Sequence, residues 1–185
     1  IIRSPDILIN DYIATGGLRA AMLNASLVGA LGYTLLLLTK TPITGPALAA
    51  VFTMTGFAFF GKNLVNVIPI IFGVYIFSRV KRESFQPYVL VALFGTSLAP
   101  IVSQFAYGFG YGLPIGIVVG TAAGFVIPSL VAHLLPNHQG FLLYNVGFTA
   151  GFIGTLVTSQ MRAYGVGSEL TLIWSLQYHR PLTLV

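Results

Sequence analysis

The sequence has little charge and no cysteine. Of its 185 residues only 7% are charged, made up of nine Lys or Arg and four Asp or Glu. A soluble domain carries about 25% charged residues, so we expect most of this chain's surface to face lipid. The lack of cysteine excludes disulfides, thiolate nucleophiles and zinc fingers. Four acids also leave little material for carboxylate chemistry.

Patterns typical of enzymes and metal sites are missing as well. The chain has no H-E-x-x-H or G-x-S-x-G motif, and no Asp or Glu falls inside a predicted span. His133 and His138 stand without a cysteine or a nearby acid, which makes a poor metal site. The basic residues behind the net charge of +5 are scattered rather than clustered on one face. The sequence therefore predicts a non-enzymatic protein without a cofactor, a metal or a nucleic-acid partner.

The charged residues divide the chain into long uncharged runs. A bilayer core requires about 20 helical residues, and several runs have that length. Polar or glycine-rich turns at 107–112 and 135–140 divide the longest run, between Glu83 and Arg162. Because backbone in lipid must satisfy its own hydrogen bonds, we expect helices. The fold class is thus an all-α, polytopic transmembrane helix bundle with about six hydrophobic segments: 20–39, 43–60, 64–78, 88–106, 113–134 and 140–159.

The two ends of the chain differ from these segments. Residues 1–17 combine apolar and polar positions in the way of a short interfacial helix, although an ordinary exposed leader explains them equally well. Residues 166–185 contain no full-length apolar run and are predicted to form an interfacial tail. We therefore expect a single transmembrane domain over 1–185, which belongs to a longer chain.

The third segment is short and contains polar and helix-breaking residues. Lys62, Asn66, Pro69 and Gly73 are spaced by four, three and four positions, so they share one helix face. In one alternative, Lys62 lies in an interfacial loop with its amine in headgroup water. In the other, 43–78 is a broken hairpin that lines a solute path, as in many transporters. A related model makes 43–60 alone re-entrant, which would place the N-terminus on the same side as the basic loop 79–82.

Glycine and asparagine patterns suggest contacts between helices. Gly116, Gly120 and Gly124 form a continuous G-x-x-x-G series, and Gly147 with Gly151 repeats the spacing, so these glycines are predicted to pack helices. Asn24 and Asn145 each lie within an apolar helix before a Gly-x-x-Gly. This likeness is compatible with an inverted repeat, or with two asparagines that join helices independently.

Several stretches resemble an uncharacterised family of bacterial multi-spanning membrane proteins, known as a domain of unknown function. They are Ser4-Pro-Asp-Ile-Leu-Ile-Asn-Asp-Tyr, Thr44-Gly-Pro-Ala-Leu-Ala-Ala, Gly56-Phe-Ala-Phe-Phe-Gly-Lys-Asn and Leu143-Tyr-Asn-Val-Gly-Phe-Thr-Ala-Gly. The resemblance runs from about residue 4 to about 165. It implies a bacterial inner-membrane location and a chain that is roughly half of a full-length member. The Asn-x-x-x-x-Gly helices, with an inverted repeat as the first of the two alternatives above, also resemble features of urea transporters.

Two functions follow as expectations. The first is a multi-pass cell-membrane transporter or channel for a small neutral or anionic solute. Its path would be lined by Asn24, Lys62, Asn63, Asn66 and Asn145. The second is a non-transporting membrane subunit that packs partner helices through its glycine faces. The expected partners are the lipid bilayer, a small solute, and either a second copy of the chain or a missing second half.

Overall fold

Six helices form the part of the chain that the structure describes. A computed structural model describes residues 1–3, 10–138, 145–163 and 165, and those ranges contain helices and turns but no strand. The helices are α1 (Tyr12–Leu38), α2 (Gly45–Phe57), α3 (Leu64–Val80), α4 (Gln86–Gly108), α5 (Leu113–His138) and α6 (Asn145–Ala163). Helix α4 is composite: it tightens to a 3-10 turn at Thr96–Leu98 and ends in a π-helical turn at Gln104–Gly108. The predicted all-α bundle is confirmed.

The observed helices follow the predicted segments, with differences in α1, α5 and α6, the last of which ends at Ala163 rather than at residue 159. Helix α1 begins at Tyr12 rather than at residue 20, because Asp11 caps it by accepting hydrogen bonds from the amides of Ile13 and Ala14. The turn expected at 135–140 was placed too early, since α5 continues through Pro136 to His138. Residues 139–144 and the predicted tail at 166–185 lie outside the described residues.

Three of the helices are long and apolar enough to cross a bilayer. They are Tyr12–Leu38, Gln86–Gly108 and Leu113–Pro136. Helices α2 and α3 are apolar but shorter, at 13 and 17 residues. At 1.5 Å per residue they are about 20 and 26 Å long, less than the ~30 Å of a hydrocarbon core. Two short helices therefore lie in series between α1 and α4.

Hydrogen bonds fix the direction of this pair. The amide of Tyr12 donates to Phe59 O at 3.1 Å, and Gln86 Nε2 donates to Lys40 O at 2.9 Å. The link between α2 and α3 thus lies beside the start of α1, whereas the other ends of both helices lie near the end of α1. This arrangement is a hairpin over 43–78. The model in which 43–60 alone is re-entrant is wrong. It would place loop 79–82 on the same side as the N-terminus, whereas this loop lies at the Lys40 end of the bundle.

Helices α1 and α3 end in the same way at that shared end. Lys40 and Arg82 have φ angles of 53° and 59°, and the following amides reach back into the last turn, from Thr41 to Leu36 O and from Glu83 to Ser78 O. This is the Schellman motif, which turns the chain sharply after the helix. Both connections are consequently short and remain at the helix ends.

Glycines allow the closest helix contact of the described bundle. A Cβ added to Gly73 of α3 would lie 2.1 Å from Thr121 O of α5, and one added to Gly124 would lie 2.2 Å from Ile70 O. Gly116 and Gly120 of the same series lie against Val102 of α4. The two backbones are therefore in contact without intervening side chains. In contrast, Gly147 and Gly151 are on an exposed face of α6, and no described atom lies within 4 Å of a Cβ added to Gly151.

A break at Gly17 divides α1 into a short first turn and a long second section. Gly17 has φ 80° and ψ 161°, a conformation that glycine adopts without steric penalty. The first turn lies over the link between α2 and α3, where Tyr12 is fully buried. The break coincides with the predicted end of the interfacial segment at residue 17. The position of that segment relative to a bilayer stays a prediction.

Candidate functional site at the tip of the α2–α3 hairpin

The link between α2 and α3, residues 58–63, buries its polar residues, although Phe60 is exposed. Lys62 is 3% exposed and Asn63 is 0% exposed. Gly61 permits the turn with a φ of +134°, a value that L side chains rarely adopt. We call residues 58–63 the hairpin tip. Lys62 is therefore not in an exposed loop, and the first alternative for this residue is wrong.

Two asparagines close the start of α3. The side-chain oxygen of Asn63 accepts from the amides of Val65 and Asn66 at 3.0 and 3.1 Å, and Asn66 Oδ1 accepts from the amide of Asn63 at 2.8 Å. This reciprocal capping box satisfies helix-terminal amides that would otherwise be unpaired in an apolar environment. The two asparagines thus allow α3 to begin at Leu64 in the middle of an apolar stretch.

The same two side chains connect the hairpin tip to α4 and α1. Asn66 Nδ2 donates to Gly61 O and to Ser103 Oγ, both at 2.9 Å. Asn63 Nδ2 donates to the hydroxyl of Tyr12 at 3.2 Å. Ser103 is 1% exposed and Tyr12 is 0% exposed. These side chains therefore join the hairpin tip to two other helices, α1 and α4.

Asn24 holds the other side of the tip. Its Nδ2 donates to the main-chain oxygens of Ala58 and Lys62, each at 2.7 Å. These carbonyls follow the end of α2 and precede the start of α3, so the single amide bridges the break between the helices. Both of its N–H groups are engaged with backbone in this state.

Lys62 is the charged member of the site. Its Nζ donates to Thr96 Oγ1 at 3.1 Å and lies 5.1 Å from the centroid of the Phe57 ring. The two acids among the described residues are engaged elsewhere: Asp11 caps α1, and Glu83 accepts from Tyr88 Oη. The ammonium group is thus buried next to a hydroxyl and an aromatic face, with no carboxylate beside it in the described structure.

The structure brings together four of the five predicted path residues. Asn24, Lys62, Asn63 and Asn66 meet at the hairpin tip. Asn145 does not join them: its Nδ2 donates to Val131 O at 3.1 Å, which places it where α6 begins against α5. Asn145 therefore belongs to a contact between α5 and α6. This agrees with the alternative in which Asn24 and Asn145 join helices independently.

Sequence reasoning missed three residues of the site: Tyr12, Thr96 and Ser103. Thr96 and Ser103 are seven positions apart in an apolar span, so they share a helix face, and this spacing could have identified them. Thr96 also donates to Leu93 O at 2.6 Å in the 3-10 turn of α4. Its hydroxyl proton is thus engaged, and its oxygen accepts from Lys62.

Gln104, next to Ser103, was also missed. Its Oε1 is buried and has no hydrogen-bond partner among the described residues. The residue begins the π-helical turn of α4, a distortion that is frequent at functional sites. A buried unsatisfied acceptor is unusual in a native structure and requires an explanation.

Together, the composition, the three long apolar helices and the buried polar hairpin define a helical membrane protein. The chain belongs to DUF1576, a family described as proteins of unknown function, whose profile matches residues 1–163. No curated protein and no solved structure matches the chain. The family membership confirms the predicted uncharacterised family, while its bacterial origin and its likeness to urea transporters stay predictions.

Proposed function

We propose that the chain is a multi-pass transport protein for a small anionic or neutral solute, and that the solute passes Lys62 at the hairpin tip. The observation that carries this proposal is the buried Lys62 amine, which has one hydroxyl partner and no described carboxylate beside it. An ammonium group has three N–H donors, so two of them have no hydrogen-bond partner among the described residues and are left for a ligand. Ionisable groups at membrane depth are expensive and usually face a solute path.

The depth of the tip fits this role. Asn24 is five residues after Arg19 in the part of α1 that follows the break, about 8 Å along the helix axis. It is 14 residues before Leu38, about 21 Å from the other end. If Arg19 marks one bilayer interface, the tip lies inside the hydrocarbon region. A short helix that ends there beside polar groups is the arrangement that transporters use at their solute sites.

The amides at the tip have a different task from Lys62 in this proposal. Asn24, Asn63 and Asn66 donate to backbone or side-chain oxygens, and Asn63 and Asn66 also accept from amides at the start of α3, so the three side chains position the broken backbone. Donor capacity remains at Lys62, whose amine has one hydrogen-bond partner among the described residues. An anion, or a neutral solute with an acceptor, would use it.

The second candidate function is a non-transporting membrane subunit. One observation favours it: the G-x-x-x-G pair Gly147 and Gly151 is exposed on α6, where small residues let a neighbouring backbone approach. The longer series at 116–124 is already occupied by α3 and α4. A partner helix, from a second copy or from a further part of a longer chain, would therefore bind α6.

Solute uptake into liposomes distinguishes the two functions. Purified protein is reconstituted, and uptake of a panel of small anionic and neutral solutes is measured under ion, pH and solute gradients. Uptake of at least one solute above that of protein-free liposomes supports transport. If no solute moves under any gradient while the protein elutes as a folded species, the transport proposal fails and the subunit role is favoured.

A further inference from the structure

A groove on the outside of the bundle lies between α3 and α5, away from the hairpin tip. It has a volume of about 520 Å³, and its walls are apolar apart from Thr121. Phe72 and Ile76 form the α3 wall, and Ala122 and Val126 lie on the α5 side. The close contact at Gly73 keeps the two helices together beneath it. The shape and lining suit a hydrocarbon chain lying along the helices.

The two helices run in the same direction, so both walls continue to the same end of the bundle. Pro69 lies near Gly120, and the rings of Phe77 and Phe125 meet further along, with centroids 5.6 Å apart. On α3 the face that carries Phe72 and Ile76 continues to Arg79 within one turn. The groove therefore opens toward Arg79.

That end of the groove is basic. Arg79, Lys81 and Arg82 are exposed, and the Arg79 guanidinium lies 5.6 Å from the Tyr75 ring. The nearest acid in sequence, Glu83, accepts a hydrogen bond from Tyr88. Arginine binds phosphate oxygens in a bidentate manner. Basic residues beside an apolar groove between helices are the chemistry that recognises an anionic lipid headgroup.

We propose that an anionic phospholipid binds this groove, with an acyl chain along Phe72, Ile76 and Val126 and its phosphate at Arg79. This lipid differs from the general annulus because charge and shape act together at one position. The inference is independent of solute transport, since it uses no residue of the hairpin tip.

Quenching of tryptophan fluorescence by brominated lipids tests the proposal. The native Trp174 is replaced by Phe, and a single reporter is introduced by Phe72→Trp. The control reporter is Phe52→Trp on α2, a 70% exposed position about 10 Å from the same end of the bundle. Binding of brominated phosphatidylglycerol is compared with that of brominated phosphatidylcholine at both reporters.

We expect the anionic lipid to be preferred about fivefold at position 72, since one basic residue near the surface contributes about that factor. The preference at position 52 should be close to one. Arg79→Gln should reduce the preference at 72 toward one, and Arg79→Lys should keep most of it. Added salt should lower the preference at position 72 in the protein that keeps Arg79. This measurement tests the role of charge without a substitution that could disturb folding.

Two results would overturn the inference. Equal preference at positions 72 and 52, or a preference at 72 that Arg79→Gln and salt leave unchanged, would mean that the groove holds ordinary annular lipid. Absence of quenching at 72 by either lipid would mean that a second copy of the chain covers the groove.

Discussion

Lys62 Nζ lies 3.1 Å from Oγ1 of Thr96, and both side chains are buried. The contact joins the tip of a broken helical hairpin to the point where α4 tightens into a 3-10 turn. Because the Thr96 proton is donated to Leu93 O, the threonine oxygen can only accept from Lys62. Among the described residues, the buried Lys62 amine thus has one hydrogen-bond partner, a neutral oxygen, beside the Phe57 ring. The predictions below follow from this contact and from the residues that support it.

Asn24→Leu should destabilise the hairpin while preserving the size of the side chain. The substitution removes two hydrogen bonds and leaves the oxygens of Ala58 and Lys62 without that donor. Interhelical hydrogen bonds in membranes contribute about 0.6 kcal/mol each on average, and unsatisfied buried groups add to the loss. We expect a decrease of about 1–3 kcal/mol in the free energy of unfolding, measured by denaturation in detergent micelles.

The control for Asn24 is Ser26→Ala, two residues later on the exposed face, where the hydroxyl bonds only to Met22 O within its own helix. It should change the stability by less than about 0.5 kcal/mol. Equal effects of the two substitutions would show that Asn24 does not hold the hairpin tip.

Gly73→Ala should be strongly destabilising, because the added Cβ would lie 2.1 Å from Thr121 O and backbone cannot easily move aside. Overpacking of this kind costs about 1–3 kcal/mol or more. The matched variant Gly151→Ala adds the same methyl group where no described atom lies within 4 Å, and it should be neutral or slightly stabilising. The unfolding temperatures of both variants, measured in one detergent, check this prediction. Equal unfolding temperatures would show that the α3–α5 contact is looser than described.

Single cysteines in this cysteine-free chain should report the hairpin topology. Lys40→Cys and Lys81→Cys should react with a membrane-impermeant thiol reagent from the same side, because Gln86 bonds to Lys40 O. Arg162→Cys, at the far end of α6, should react from the opposite side. Lys62→Cys should be labelled much more slowly than positions 40 and 81, since that position is 3% exposed. Labelling of positions 40 and 81 from opposite sides would refute the hairpin.

Lys62→Met should keep or increase stability. A buried charge without a carboxylate partner pays a desolvation penalty, and an apolar side chain of similar length avoids it. Thr96 keeps its bond to Leu93 O, so the substitution leaves no orphaned hydroxyl proton. We expect an increase of about 1 kcal/mol or more in the free energy of unfolding. A clear decrease would show that Lys62 is retained for stability, which would argue against a solute-binding role.

Much of the architecture could be predicted from the placement of the charges. Runs between Lys and Arg identified α2 and α3 to within three residues of their ends, because a charge at membrane depth is expensive. The start of α1 was missed, since Asp11 caps a helix turn that continues across the break at Gly17. The end of α5 was missed because prolines in an apolar helix do not always end it.

The site was only partly predictable from the sequence. Polar residues in apolar runs pointed to Asn24, Lys62, Asn63 and Asn66, but spacing along the chain cannot show which helices face each other. The partners Thr96 and Ser103 come from α4, more than 30 residues away. Asn145 had the same sequence context as Asn24, yet it lies at a different helix contact.

Anion flux into proteoliposomes, compared between the unchanged chain and Lys62→Met, tests the central claim most directly. A small monovalent anion that the unchanged chain transports should enter at least about tenfold more slowly with Lys62→Met, because a charge-assisted hydrogen bond contributes about 1.5–3 kcal/mol. Lys81→Met removes an exposed lysine outside the hairpin and should leave the flux within about twofold. Equal anion flux through the unchanged chain and Lys62→Met, with both proteins folded, would contradict the account.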